Sequence, residues 1–233
     1  MCLEFETMSS KTNACRATAK LMSALVLFDF DGTITKRNTF VPFLYYILPL
    51  PRRILLTLAL PLLFAGLVTR IFTPHHTHVF LVYLMRGFRV NQLAGLGRSF
   101  SKNRLRDFLR PGAMEAIDQH LSQGDQVAIV TASYDFWIRP WCEANGLSLL
   151  SSKLHVEDGV ASGKPDLVCD GIEKVREVER EFDVSLFKSV VAYGDSIGDT
   201  EMLAFANHSV YRPFREGTGV ELLHGMHSDE VVG

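Results

Sequence analysis

No excess of either charge marks this chain: 24 Lys and Arg stand against 26 Asp and Glu in 233 residues. A global basic field for nucleic acid is therefore excluded, and any basic surface is local. Cysteine is scarce. Cys2, Cys15, Cys142 and Cys169 form no C-x-x-C pair and no regular spacing, so no disulfide framework is readable and a reducing, cytoplasmic setting suits them. The stretch MCLEFETMSSKTNACRATAKLMS lacks the apolar core of a secretory signal, so residues 1–22 read as a polar, disordered tail with Met22 an alternative start. No internal repeat is visible. Apolar residues are plentiful at 47%, enough in this length for one sizeable α/β core plus a smaller insertion.

The apolar run Ala24-Leu25-Val26-Leu27 leads into FDFDGT. A short apolar run closed by a glycine turn reads as a central strand of a parallel sheet, and ligands of such sheets bind beyond the strands' carboxyl ends. Alternation puts Asp29 and Asp31 on one face, about 6 to 7 Å apart. Two carboxylates that close repel unless a cation or a shared proton offsets them. Alone, the motif also reads as a capped strand end and turn, so the rest of the chain decides.

Three later segments repeat the strand-then-polar-turn pattern: QVAIVTAS (126–133), KSVVAYGDSIGD (188–199) and SVYR (209–212). Helical stretches are expected over 112–121, 136–145, 172–182 and 200–206, and LHVEDGVASGK (154–164) reads as a β-hairpin on Asp158-Gly159. The alternation predicts an α/β fold with a doubly wound, Rossmann-like parallel sheet. Its strand ends would gather Asp29, Asp31, Thr131, Asp195 and Asp199 in one crevice. Four carboxylates and a hydroxyl suit a hard cation such as Mg²⁺. One carboxylate beside such an ion can attack phosphorus while a second protonates the departing alkoxide.

FDFDGT, VTAS, a downstream lysine and GDSIGD together resemble the four ordered motifs of haloacid-dehalogenase-superfamily phosphatases, nearest the phosphoserine-phosphatase-like subfamily IB. The resemblance spans Phe28 to Asp199. It implies that Asp29 is the nucleophile and that Asp31 is the general acid/base, ligating the metal through its carbonyl. It implies that Thr131 and the Ala132 amide bind the phosphoryl group, and that Asp195 and Asp199 serve the Mg²⁺ site. Dehalogenases of the superfamily lack the second aspartate, so Asp31 favours phosphoester hydrolysis. The required lysine has two candidates, Lys174 in CDGIEKV and Lys164 in SGKPD; the resemblance favours Lys174, with Gly171 easing its helix toward the site.

The same resemblance divides the chain into a catalytic core, 23–39 plus 109–233, and a helical C1-type cap, 40–108. The cap is strongly apolar. Its run from Ile54 to Val68, bracketed by Arg52-Arg53 and Arg70, is short of a bilayer span and contains Pro61. It is apolar on every face, so the rest of the cap, a partner subunit or a membrane interface must cover it. The basic stretch 97–110 reads as a solvated helix face or as a site for anionic headgroups. His75, His76 and His78 read as a loop between cap helices, and Trp137 and Trp141 as packing residues.

Phosphoserine phosphatases carry a glutamate nine residues after the nucleophile, where this chain has Asn38. The apolar cap instead resembles a bacterial branch that includes phosphatidylglycerophosphate phosphatases. The expectation is a lipid or other amphipathic phosphomonoester, with the protein peripheral at the inner membrane face. Two alternatives stand beside it: a soluble phosphatase of a small polar metabolite such as phosphoserine, and an inactive membrane-surface binding protein.

Overall fold

Leu25–Phe28 form β1, four fully buried residues at the centre of the sheet. In the computed structural model, which describes residues 23–215, six strands lie in the order β4-β3-β2-β1-β5-β6. The expectations for residues 1–22 fall outside the described residues. β1 pairs in parallel with β2 (Gln126–Tyr134) on one side and β5 (Val190–Gly194) on the other, and β6 (His208–Tyr211) extends the β5 edge in parallel. β3 (Ser148–Glu157) is parallel to β2, whereas β4 (Val160–Leu167) returns antiparallel through Asp158 and Gly159, both at positive φ. The expected hairpin is therefore present, but its first strand belongs to the main sheet.

Alternating side chains of the central strands feed two cores. Val26 and Phe28 pack with Val127, Ile129, Val191 and Tyr193 on one face. Leu25 and Leu27 pack with Ala128, Val130, Val190 and Ala192 on the other, as period-two geometry requires of a sheet covered on both sides.

Four helices fill the segment from Phe40 to Asn103: α1 (Phe40–Ile47), α2 (Leu50–Val68), α3 (Pro74–Tyr83) and α4 (Val90–Asn103). α5 (Pro111–Ser122), α6 (Asp135–Ala144), α7 (Ile172–Glu181) and α8 (Thr200–Phe205) follow in the places expected. α1 docks through aromatic stacking, Phe43 on Trp137 at 4.3 Å between ring centroids. In the stretch 97–110, Phe100, Leu105 and Phe108 are buried while Arg98, Lys102, Arg104 and Arg106 are exposed, as a solvated helix face requires.

α2 behaves differently. Only Leu56 and Gly66 are buried along its 19 residues. One correction concerns the histidines: residues 74–83 are helical, not a loop, because Thr73 caps the helix through a reciprocal contact with His76 and Pro74 supplies a fixed φ at the first turn.

Candidate active site

Asp29 follows the last residue of β1, at the point where β1 has a parallel neighbour on each side. A crevice at such a switch point is where open α/β sheets bind ligands. The chain then turns through Phe30–Ile34. Gly32 has φ 99°, and a β-carbon there would sit 2.6 Å from Asp195 Oδ2, so only glycine lets the turn approach Asp195 this closely.

Lys174, in the first turn of α7, is almost wholly buried. Its Nζ donates to Asp29 Oδ1 at 2.7 Å and to Asp199 Oδ1 at 2.5 Å. Gly171 caps α7 with φ 56°, which brings the lysine in immediately behind the turn. Asp199 Oδ2 accepts from the N–H groups of Asp195 and Ser196 and from the Ser196 hydroxyl. Asp31 turns the other way. Its Oδ1 accepts from the Thr39 N–H at 2.6 Å and hydroxyl at 2.7 Å, and its Oδ2 from the Ser133 hydroxyl at 2.5 Å.

Burial opposes ionisation of Asp29 more than the Lys174 ammonium favours it, and lifts its carboxyl to about 7. Burial also raises Asp31, against the pull of its Ser133 and Thr39 donors. For Asp199 burial is outweighed by Lys174 and the Ser196 donors, which hold it below its ordinary value. Lys174 moves up despite burial, because Asp29 and Asp199 flank it, and it stays charged. Burial and Asp199 raise Asp195, with Arg215 acting against them.

One carboxylate oxygen from each of Asp29, Asp195 and Asp199 lies within 4.8 Å of the others. Asp195 Oδ1 is buried with no hydrogen-bond partner, although a buried carboxylate oxygen needs one. Both observations fit a hard divalent cation with oxygen ligands.

The structure thus brings Asp29, Asp195, Asp199 and Lys174 together. Lys164 lies exposed on β4. Thr131 is buried near the end of β2, its hydroxyl accepting the Ser133 N–H, and Ala132 accepts the Ser152 hydroxyl through its carbonyl. Thr39, Ser133 and Trp137 escape the sequence reading as site residues. Trp137 is the packing residue expected, yet its Nε1–H also donates to Thr39 Oγ1 at 2.9 Å. Only the hydroxyl-rich end of VTAS hinted at Ser133, and the positions of Thr39 and Trp137 carried no signal. A crevice of about 790 Å³ opens onto Asp31, Gly32 and Asp195, with Lys36, Arg37 and Arg110 on its wall.

A parallel sheet with paired carboxylates beyond its first strand and a buried lysine bridging two of the acids defines a hydrolase centre of the aspartate type. Residues 26–204 match the haloacid dehalogenase-like hydrolase family, and the chain belongs to it. Protein CicA of Caulobacter vibrioides is 34% identical over 199 residues, covering 82% of this chain and 86% of that protein. Among solved structures, a protein of unknown function from Bordetella pertussis Tohama I superposes with TM-score 0.70 at 20% identity, covering 82% of this chain and 90% of the other. A phosphoserine phosphatase holding a phospho-aspartyl intermediate analogue superposes with TM-score 0.59 at 19% identity, covering 82% and 86%. The fold is therefore of the phosphoserine-phosphatase-like type, and the family makes the chain a hydrolase.

Proposed function

We propose that this chain is a Mg²⁺-dependent phosphomonoester hydrolase acting through an aspartyl-phosphate on Asp29, with a lipid or other amphipathic phosphomonoester as substrate. The observation that carries the chemistry is Lys174 bridging Asp29 and Asp199 while the neighbouring Asp31 is held apart by Thr39 and Ser133.

Lys174 occupies Asp29 Oδ1 and leaves Oδ2 for attack on phosphorus. As the Asp29–phosphorus bond forms, the ester P–O bond breaks and the Asp31 carboxyl passes its proton to the departing alkoxide. Water then attacks the acyl phosphate and gives its proton to the Asp31 carboxylate. Phosphate leaves and Asp29 is restored. Thr131 and the Ala132 amide would receive the phosphoryl oxygens. Bound by Asp29, Asp195, Asp199 and the Asp31 carbonyl, Mg²⁺ would supply the positive charge that offsets the phosphoryl group and the clustered acids. Lys174 holds Asp29 oriented and lowers the cost of its ionisation.

Support for an amphipathic substrate comes from α2, whose apolar side chains stay exposed in the segment between β1 and β2. Asn38, where phosphoserine phosphatases carry their glutamate, accepts the Phe40 N–H just before α1. A soluble phosphatase of a small polar ester such as phosphoserine is the reading that the fold of the solved neighbours favours. Phosphate release from phosphatidylglycerophosphate and lysophosphatidate, set against phosphoserine and other polar monoesters, decides between them. Preference for the lipids supports the amphipathic reading and preference for a polar ester removes it. Turnover of none, or normal turnover by Asp29→Asn, overturns the phosphatase reading itself.

A further inference from the structure

The apolar run 54–68 alone is short of a span, but α2 begins at Leu50 and continues through Pro61, which makes it the one helix among the described residues long and apolar enough to cross a membrane; its mean hydropathy is 1.6, yet only 11% of that window is buried. Leu50, Leu58, Leu62, Phe64 and Val68 are each 65–70% exposed, and Ile71 just beyond is 72% exposed. Of the exposed positions in the helix only Arg53 and Thr57 are polar. Water exposure of this much contiguous apolar surface is unusual for a soluble monomer. Covering chemistry is indicated by charge. Between Asp31 and Asp107 the sequence contains no Asp or Glu, while 11 of the chain's 24 Lys and Arg fall there. Arg53, Arg70, Arg86 and Arg89 are exposed around the helix ends and the turn after α3. A chain of nearly balanced charge thus concentrates positive charge around its apolar face.

We infer that α2 is an interfacial helix that docks this protein onto an anionic lipid bilayer, lying in the plane of the headgroups. It does not cross. A single crossing would send the flanking segments to opposite sides, but α1 and α3 both pack into one core through Phe43, Leu44, Leu81 and Val82. Arg52, near the start of α2, also donates to the carbonyls of Leu84 and Arg86, at 3.0 and 2.8 Å, tying that end of the helix to the turn after α3. One stripe, Leu56, Leu60, Leu63 and Leu67, is buried or half-buried, with Leu56 in the core and Leu60 packed against it, which leaves the opposite face to enter the headgroup and acyl boundary. Arginines beside it meet lipid phosphates, and each basic group near the surface strengthens binding. The second-copy alternative would set like-charged segments against each other.

The docking deepens the proposed function, and its test is independent of turnover. Full-length protein is floated with vesicles of phosphatidylcholine alone and of phosphatidylcholine with phosphatidylglycerol. The expected result is partitioning onto the anionic vesicles, weaker at high salt and at least about tenfold lower for Leu58→Glu/Leu62→Glu with an unchanged circular dichroism spectrum. Failure of the wild type to float, or equal flotation of the double variant, overturns the proposal, as does a stable dimer that the double variant dissolves. Should the double variant misfold, Phe64→Trp serves instead: its emission shifts blue on anionic vesicles, and no shift overturns the docking. Flotation without phosphate release would sink the enzymatic reading and leave the docking standing.

Discussion

Thr39 grips Asp31 twice, donating both its N–H and its hydroxyl to the same carboxylate oxygen, Oδ1, at 2.6 and 2.7 Å. Trp137, 98 residues further along the chain, donates in turn to that hydroxyl. An indole buried by stacking on Phe40 and Phe43 thereby fixes the rotamer of a threonine that aims the proposed general acid.

Removing the hydroxyl in Thr39→Val takes away one donor that pulls the Asp31 pKa down and leaves the Trp137 N–H unpaired. The Asp31 pKa therefore rises further. The alkaline limb of kcat against pH, where a general acid loses its proton, should move up, and kcat should fall about tenfold. The orphaned indole should cost about 1–3 kcal/mol of stability. Thr39→Ser should restore both the limb and kcat. A pH–rate profile of the three proteins checks this; a profile of Thr39→Val that matches the wild type would mean Asp31 is not the acid.

Two lysines compete for one role, and the structure separates them. Lys174→Ala leaves Asp29 and Asp199 buried against each other with no cation between them. Breaking a buried pair in this way costs about 3–5 kcal/mol, which for a chain of this size lowers Tm by about 6–20 °C. Phosphate release should fall with it. Lys164→Ala, at an exposed position on β4, should leave Tm and turnover unchanged. Melting curves and phosphate release on both variants give the comparison; a sensitive Lys164 with a silent Lys174 would reverse the assignment.

Much of this centre was legible because its residues follow apolar strands. Leu25–Phe28 and Val190–Gly194 read as buried runs ending in carboxylates, and parallel pairing of β1 with β5 sets those ends side by side. Thr39, Ser133 and Trp137 were not legible as site residues, since their bonds join positions 98 and 102 apart and no local periodicity encodes them. β3 shows a different limit. The Asp158-Gly159 turn announced a hairpin, but only the register of β3 against β2 places that hairpin in the main sheet. The apolar all-round pattern of α2 called for a cover, and the structure shows that the rest of the cap leaves most of the helix exposed.

Gly32→Ala should damage the centre without touching an acid. At φ 99° a β-carbon is strained, and here it would also meet Asp195 Oδ2 at 2.6 Å. Asp195 must then turn out of the acidic cluster. The expected result is Mg²⁺ affinity weakened about 10–100-fold, as for displaced metal-site partners. Isothermal titration of Mg²⁺ measures it, and an affinity equal to the wild type would remove Asp195 from the metal site.

At the proposed metal site, proton and Mg²⁺ would compete for Asp29. Its carboxyl titrates near 3.8 in the unfolded chain and about 7 in the metal-free fold, raised chiefly by burial. The sign follows from linkage: the folded state binds the proton more tightly, so this group costs the metal-free protein stability as pH rises from about 4 to 7. Asp199, shifted downward, contributes stability that is lost only as pH falls below the ordinary carboxylate value, outside that window. At the proposed site Mg²⁺ would bind the ionised carboxylate and offset the cost at high pH, whereas at pH 5 it would first have to displace a proton. Saturating Mg²⁺ should therefore raise Tm more at pH 8 than at pH 5, and its apparent Kd should tighten across that range. Asp29→Asn should reduce the dependence and leave the share of Asp195, which burial and Asp199 also raise. An equal Mg²⁺-induced shift at both pH values would mean that Asp29 is not among the groups the cation engages.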